Sequence, residues 1–359
     1  MTPQNNQADP TFRNYTASSA QAYAKNRPGY PDELISLVIE NHTSTGGQLD
    51  VLLDLGCGPG TATRSLAPYF QHAIGADPGE SMIATARTIP CPTASGEPTT
   101  FEVCASDAIS SLDALKRYSS VGGGGGGSSS SETVDLITAG TSAHWFDYPA
   151  FYIEASKILK PGGSIVMWCT KGYFLDERTT PNAKKLQALW QDFEHVVLKP
   201  HEMPGNRLTR ELYASLPLPW SEYPDAAAAV ADADHNRGES NKARPLRLLD
   251  EFPKDEFKRQ VFNDNGEIGP DGKFLMSRRA TFERATATLG TASPVTRWRE
   301  AHKEQLERGE VEDLVDKLLR QTRELLDEVP EGRGRDWLEG GSAVVVMTIK
   351  KKKKKKTSV

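Results

Sequence analysis

The chain has no apolar run approaching the length of a membrane span, and residues 1–27 are polar, without the apolar stretch of a secretion signal. A transmembrane helix needs about 20 consecutive apolar residues, and a signal peptide needs about 7 to 15. We therefore expect no transmembrane segment and a cytoplasmic location. The four cysteines show no Cys-x-x-Cys spacing, so we expect reduced thiols, with neither a metal site nor a disulfide framework.

Positive charge is scarce outside one short segment. The chain has 43 Lys and Arg against 48 Asp and Glu, and seven of the lysines are consecutive, from Lys350 to Lys356. The remaining sequence is therefore more acidic than the net charge of -5 indicates, and an acidic protein repels polyphosphate. This argues against a nucleic-acid partner. We predict that the lysine run is a solvated tail; binding to an anionic surface, or to a nuclear import receptor with a nuclear location, is the alternative.

Two segments have a composition that cannot form a core. Residues 122–131 are only Gly and Ser, and residues 225–244 are rich in Ala, Asp, Asn and Gly. We predict a disordered loop at 118–132 and a mobile connection at 225–244. The total of 359 residues is otherwise enough for two domains or for one large decorated domain.

Strand and helix patterns alternate along the first half of the chain. Val51–Leu55 is a short apolar run typical of a buried parallel strand, and a glycine-rich turn and a helical pattern follow it. Further strands are predicted at 73–76, 101–105, 134–138 and 164–169. This alternation predicts a doubly wound α/β sheet with right-handed crossovers.

The pattern changes after Lys171. Amphipathic helices are predicted around 186–197 and 314–326. Two more strands are predicted, at 257–262 and at 343–349, the second at the edge of the sheet just before the lysine run. We interpret this half of the chain as decoration on the α/β core.

The glycine turn indicates which ligand the fold takes. In a doubly wound sheet, ligands bind at the carboxyl ends of the strands, where such a turn lets the backbone approach them. A dinucleotide fingerprint would require glycine at position 61, where Thr61 stands, and no Gly-Lys-Ser/Thr phosphate loop follows. Asp77 ends the second strand and can accept from ribose hydroxyls, and Asp107 follows the third and can accept from a base amine. Together they describe an adenosine with a small charged appendage.

Several tracts carry a resemblance to a known family. The segments 54–61 and 159–163, with Asp77 and Asp107, resemble the class I S-adenosylmethionine-dependent methyltransferases over about residues 15–169. Within that superfamily, the tracts 23–31 and 143–147 are similar to the fungal trans-aconitate methyltransferase group, and 274–302 is similar more loosely. The resemblance implies an α/β fold, a Rossmann-like seven-stranded methyltransferase sheet with helical C-terminal decoration.

The resemblance also implies a division of the chain. We expect a lid segment at 1–32 and a cofactor-binding core at 33–170 that contains the Gly/Ser loop. A helical acceptor-side region with a late strand follows at 171–341, then a last sheet strand at 342–349 and a lysine-rich tail at 350–359.

Residue roles follow from the same resemblance, with S-adenosyl-L-methionine as the cofactor. Asp54 would orient the methionine amino group, Asp77 would take the ribose, Met82 would pack on adenine, and Asp107 with Ala108 would read the adenine amine. The full set of expected cofactor residues is Asp54, Gly56, Cys57, Gly58, Asp77, Met82, Asp107, Ala108 and Ala139. His144, Trp145, Tyr23 and Arg27 are candidates for positioning the acceptor, and Arg279 and Trp298 are weaker ones.

The acceptor expected from the resemblance is a carboxylate of a small organic acid. Such a group is already ionised at neutral pH, so in-line methyl transfer needs positioning rather than a general base. Alternatives are methylation of a fungal secondary metabolite or of nucleic acid, a nicotinamide oxidoreductase, which Thr61 disfavours, and a non-catalytic scaffold that only binds the cofactor. The oligomeric state stays open.

Overall fold

The structure is a computed structural model that describes residues 15–118, 132–223 and 248–354. The predicted Gly/Ser loop, apart from its two end residues, and the predicted connection at 225–244 therefore lie outside the described residues. The same holds for residues 1–14 of the expected lid and residues 355–359 of the expected tail.

One sheet organises the described chain. Its strands are β1 (Val51–Leu55), β2 (His72–Asp77), β3 (Thr100–Val103), β4 (Val134–Gly140), β5 (Leu159–Leu175), β6 (Lys258–Phe262), β7 (Met276–Thr281) and β8 (Trp337–Lys350). They follow the order β3-β2-β1-β4-β5-β8-β6, and β7 pairs separately with β8. Strands β1 to β5 are mutually parallel, and β8 runs antiparallel to β5, β6 and β7.

The predicted doubly wound α/β class is confirmed, with one strand more than the seven expected. The described residues form eight strands, because β7 adds a pairing along the first part of β8. At the centre, all five residues of β1 are buried, and Leu53 lies between Ile74 of β2 and Ile137 of β4. A parallel strand with both faces covered needs this continuous apolar run.

Helices cover the sheet and build the C-terminal region. They are α1 (Ala17–Asn26), α2 (Asp32–Thr43), α3 (Thr61–Leu66), α4 (Glu80–Thr88), α5 (Asp113–Tyr118), α6 (Ala150–Ile158), α7 (Ala183–Asp192), α8 (Pro204–Arg210), α9 (Leu248–Glu251), α10 (Phe282–Leu289), α11 (Ser293–Ala301), α12 (Lys303–Glu307) and α13 (Leu314–Asp327). The two predicted amphipathic helices are α7 and α13, whose apolar faces share a separate hydrophobic cluster. None of the helices that the structure describes combines the length and apolarity needed to cross a bilayer.

The position predicted for the last strand is wrong. The sequence placed residues 343–349 at the sheet edge, but β8 lies between β5 and β6. Its 14 residues are long enough to pair with β5 on one side and with both β6 and β7 on the other. The apolar run 343–349 marks only the second half of β8, in which every residue is buried.

The prediction of a solvated lysine tail is wrong for its first two residues. Lys350 is 1% exposed and Lys351 is 3% exposed. The Lys350 ammonium donates to Ser164 Oγ at 2.7 Å and to the His42 carbonyl at 3.3 Å. Lys351 donates to Glu132 at 3.0 Å and to two main-chain carbonyls. Long aliphatic stems allow both lysines to enter the interior while their ammonium groups keep acceptors.

Lys350 is buried and forms no ion pair with a carboxylate of the described residues, and this alters its acid–base behaviour and that of its neighbour His42. Burial lowers the pKa of Lys350 to about 8. The neighbouring His42, whose Nδ1 lies 2.8 Å from Ser164 Oγ, has its pKa lowered to about 4, mainly by burial and also by the Lys350 charge. Desolvation disfavours the charged form of both groups.

Lys350 makes the stability of the protein depend on pH above neutrality. Its unfolded pKa is the ordinary value of 10.5 and its folded pKa is about 8, so between these values the unfolded chain binds more protons and stability rises with pH. Between pH 7 and 9.5, we expect the melting temperature of wild type to rise relative to that of Lys350→Met. Lys352→Met, at an exposed position, is the control, and parallel curves for all three proteins would contradict this role.

Candidate functional site

A cavity of about 210 Å³ opens at the carboxyl ends of β1 to β4. Because these strands are parallel, the residues that follow them meet at one edge of the sheet. The walls come from the turn after β1, the end of β2, the loops after β3 and β4, and α1. The lining residues used below are Tyr23, Gly56, Gly58, Asp77, Met82, Cys104, Asp107, Thr141, Ser142, Trp145, Phe146 and Asp147.

The glycine turn adopts a backbone that side chains disfavour. Gly56, Gly58 and Gly60 have φ of 59°, 54° and 86°. A Cβ on Gly56 would stand 2.5 Å from the Cβ of Ser142, whereas a Cβ on Gly58 would meet nothing within 4 Å. Gly56 therefore permits the close approach of the β1 and β4 loops, and Gly58 leaves backbone open to the cavity.

Asp77 holds the turn in place. One carboxylate oxygen accepts from the Gly58 amide at 2.9 Å, and the other accepts from the Gly79 amide at 2.8 Å. The side chain thus connects the turn after β1 to the residue before α4. It also lines the cavity. A carboxylate oxygen has more than one lone pair, so such a group can accept from a ligand as well as from a backbone amide.

Asp54 does not line the cavity. It is 1% exposed, and its carboxylate accepts from the Thr63 hydroxyl at 2.6 Å and the Thr138 hydroxyl at 2.8 Å. Burial raises the pKa of Asp54 to about 6. The residue therefore ties the first turn of α3 to β4, and any contact with a ligand would use its remaining lone pairs.

The other predicted cofactor residues divide into two groups. Met82 and Asp107 line the cavity. Cys57 and Ala139 are buried in the hydrophobic core, and Ala108 is exposed; the side chains of these three residues do not line the cavity. Burial raises the pKa of the Cys57 thiol well above its ordinary value, so this thiol is a packing group and is not poised to react.

Trp145 and His144, the two aromatic candidates in the tract after β4, lie in different surroundings. Trp145 lines the cavity. His144 is 4% exposed, and its Nδ1 lies 2.8 Å from the hydroxyl of Tyr213. Burial lowers the pKa of His144 to about 3, so its imidazole is neutral near pH 7. We interpret His144 as a support for Trp145, whose ring centroid is 4.5 Å away.

Helix α1 covers the cavity from one side. The carbonyl of Tyr15, which precedes the helix, accepts from the Ser81 hydroxyl of α4 at 2.7 Å, and Tyr23 of the helix lines the cavity. The Arg27 guanidinium lies 5.1 Å from the centre of the Tyr23 ring and donates to the Thr291 carbonyl at 3.3 Å.

The two weaker acceptor candidates are engaged elsewhere. Arg279 pairs with Glu339 at 3.0 Å and lies over the ring of Trp337. Trp298 stacks on His302 with ring centres 4.3 Å apart. Neither residue lines the cavity.

Some cavity residues were given no role at the sequence level. Thr141, with φ of 54°, Phe146 and Asp147 all follow β4, and Cys104 follows β3. Asp147 belongs to the tract 143–147 that supports the family resemblance, which was the only available signal for it. Burial raises the pKa of Asp147, and the charge of Asp107 raises it further, so the two carboxylates influence each other.

The charged residues that line the cavity are all acidic. Its described lining contains the carboxylates of Asp77, Asp107 and Asp147 and neither a lysine nor an arginine. A nucleotide pyrophosphate in such a cavity would face repulsion without a compensating cation. A cationic ligand is the better electrostatic match.

Comparison with known proteins agrees with this architecture. A family model described as a methyltransferase domain matches residues 53–165. This segment is similar to methyltransferase domains. It contains residues 53–55 of β1, strands β2 to β4, the glycine turn and all three cavity carboxylates.

Two curated relatives match part of this chain. A Dictyostelium discoideum protein described as a methyltransferase is 31% identical over 157 residues, 44% of this chain and 49% of the relative. A Saccharomyces cerevisiae protein described as an S-adenosylmethionine-dependent methyltransferase is 30% identical over 146 residues, 41% of this chain and 43% of the relative. The matches thus span about half the length of these curated relatives.

A solved structure extends the likeness of fold beyond residues 53–165. A protein of Anaeromyxobacter dehalogenans, described as a type II methyltransferase, superposes with a TM-score of 0.52 and 19% identity, covering 91% of this chain and 97% of that one. At this identity the likeness concerns the fold, and it supports a Rossmann-like methyltransferase fold for the described chain.

The glycine turn provides a matched pair of substitutions. Gly58→Ala places a Cβ in open space at positive φ and should cost about 1–2 kcal/mol of backbone strain. Gly56→Ala meets the same strain and also the Cβ of Ser142 at 2.5 Å, so we expect a clearly larger loss of unfolding free energy. Urea denaturation of both variants measures the difference; equal losses would show that the β4 loop moves freely away from the turn.

Proposed function

We propose that the chain is an S-adenosylmethionine-dependent methyltransferase. The observation that carries this proposal is the combination of an open glycine turn with an acidic cavity that has no lysine or arginine among its described lining residues. The cofactor has a sulfonium and an ammonium against one carboxylate, so it is a net cation. It supplies an activated methyl group, which an acceptor receives in one displacement.

The cavity residues fit the parts of this cofactor. Gly58 has no side chain, and nothing lies within 4 Å of the position that a Cβ would take, so the wall has room there for the methionine part. Asp77 is a carboxylate on the cavity wall, which suits the ribose hydroxyls. Met82 and Asp107 lie on the wall beyond Asp77 and suit the face and the amine of adenine. We propose these roles for the four residues.

We further propose a carboxylate acceptor on a small organic acid, similar to trans-aconitate. A carboxylate needs no deprotonation, and this agrees with the state of His144, which is buried, neutral and engaged by Tyr213. Trp145 and Phe146 line the cavity and would exclude water from the reacting atoms. Arg27 does not line the cavity, but its guanidinium lies over the ring of Tyr23, which does, and it would supply the cation that holds the acid.

The cofactor assignment is tested by binding. We expect S-adenosylmethionine to bind the full chain in isothermal titration calorimetry and Asp77→Asn to weaken binding at least tenfold, because the amide loses one of the two oxygens that hold Gly58 and Gly79. Asp113→Asn changes a carboxylate that is paired with Lys116 outside the cavity, and it should bind like wild type. Equal affinities for all three proteins would contradict a cofactor held by Asp77.

The reaction is tested with a labelled methyl donor. We expect incubation with small di- and tricarboxylic acids, including trans-aconitate, to yield a methyl ester identified by mass, and the Asp77→Asn variant to yield much less at limiting donor. Transfer to RNA instead of to acids would replace the proposed acceptor class. Tight cofactor binding with transfer to neither would indicate a scaffold that does not catalyse.

A further inference from the structure

We propose that Arg27, Arg278 and Arg284 form a binding site for a small molecule with two or more carboxylates. The proposal rests on the proposed function and adds to it the residues that would hold the carboxylates other than the one that receives the methyl group. Arg278 and Arg284 had no role in the sequence-based expectations. The site joins α1, β7 and α10, three elements that are far apart in the sequence.

The first two arginines meet where α1 ends on α10. The Thr288 hydroxyl donates to the Asn26 carbonyl at 3.1 Å, and Arg27 donates to the Thr291 carbonyl at 3.3 Å. Arg284 precedes Thr288 by one helical turn and so lies on the same face of α10. The end of α1 therefore brings Arg27 beside the face that carries Arg284.

The third arginine comes from β7. Exposure alternates along this strand: Ser277 and Arg279 are exposed, while Met276, Arg278 and Ala280 are partly buried. Arg278 thus faces inward, and its carbonyl accepts from the Tyr173 hydroxyl at 3.4 Å. Burial lowers the pKa of Arg278, and the charges of Arg27 and Arg284 lower it further, which agrees with three cations gathered in one place.

These cations lack the partners that nearby arginines have. Arg279 pairs with Glu339, Arg299 pairs with Asp313, and Arg320 pairs with Glu312. Among the residues in the described ranges, no carboxylate forms an ion pair with the three arginines of the site. The Nε of Arg27 is buried and has no hydrogen-bond acceptor within that part of the chain. Arg27 and Arg278 are partly buried and Arg284 is exposed at the rim of the site. Guanidinium groups bind carboxylates in a bidentate manner, so a carboxylate ligand would supply the missing acceptors.

The site touches the walls of two cavities. Arg27 lies over Tyr23, which lines the cavity described above. Tyr173, which contacts Arg278, and Ala292, which follows Thr291, line a second cavity of about 240 Å³ beyond β5. A monoacid held by the arginines would have no second carboxylate to receive the methyl group, whereas a di- or tricarboxylate keeps one free. This favours a polyacid over a monoacid as the acceptor.

The experiment measures binding of tricarballylate, a flexible tricarboxylate, to the full chain by calorimetry without a methyl donor. We expect wild type to bind it and the affinity to fall at least tenfold in Arg278→Gln and in Arg284→Gln. Arg279→Gln is the matched control, since it removes a charge from the next position of the same strand on the opposite face, and its affinity should stay within twofold of wild type. Trimethyl tricarballylate, which has no charge, should not bind.

Further measurements separate the possible outcomes. Arg278→Lys keeps the charge but loses bidentate geometry, so we expect intermediate affinity, and thermal unfolding checks that each variant folds. Absence of tricarballylate binding in wild type, or equal affinity in folded Arg278→Gln, Arg284→Gln and Arg279→Gln, would overturn the polyacid site. Binding of S-adenosylmethionine to the same proteins is independent of it. Failure to bind that compound, with tricarballylate still bound, would overturn the proposed function while the arginine site stands.

Discussion

The site depends on the bridge that Asp77 makes between two backbone amides. Its carboxylate holds the Gly58 amide after β1 and the Gly79 amide before α4, and thereby keeps two neighbouring loops at a constant separation. Gly56 then allows the β4 loop to approach through Ser142, whose hydroxyl donates to the Leu55 carbonyl at 2.7 Å. Glycine lets the turn adopt its positive φ angles without the strain that a side chain would add, and the bridge connects two of the loops that line the cavity. Packing and hydrogen bonding therefore determine the site together.

Much of the α/β core could be predicted because its signals are local. The run Val51–Leu55 and the glycines after it specify a strand and a turn within ten residues, and parallel strands bring Asp77 and Asp107 to one edge by geometry alone. The sequence did not reveal the partners of Asp54. Its position beside the turn predicts a contact with the cofactor, and this stays a prediction. Its carboxylate accepts from the nearby Thr63 and also from Thr138, which only the pairing of β1 with β4 brings close.

The C-terminal half was predicted less well because its structure is set by long-range pairing. An apolar run such as 343–349 indicates a strand but not which neighbours it has, so the interior position of β8 and the extra strand β7 were missed. Charge patterns were equally misleading at Lys350 and Lys351, where the interior supplies acceptors that the sequence does not reveal. The outcome for Arg279 has the same cause: strand alternation turns it outward and turns Arg278 inward.

The interior position of β8 has a consequence for how the protein is made. Strands β6 and β7 have β8 as their only sheet neighbour among the described residues, and β8 is the last strand in chain order. During synthesis the strands from β1 to β5 can assemble as soon as they leave the ribosome, but β6 and β7 must wait until residue 350 has emerged. The nascent chain therefore passes through a stage with one long edge of β5 uncovered, and a chaperone that shields such an edge would have its opportunity there.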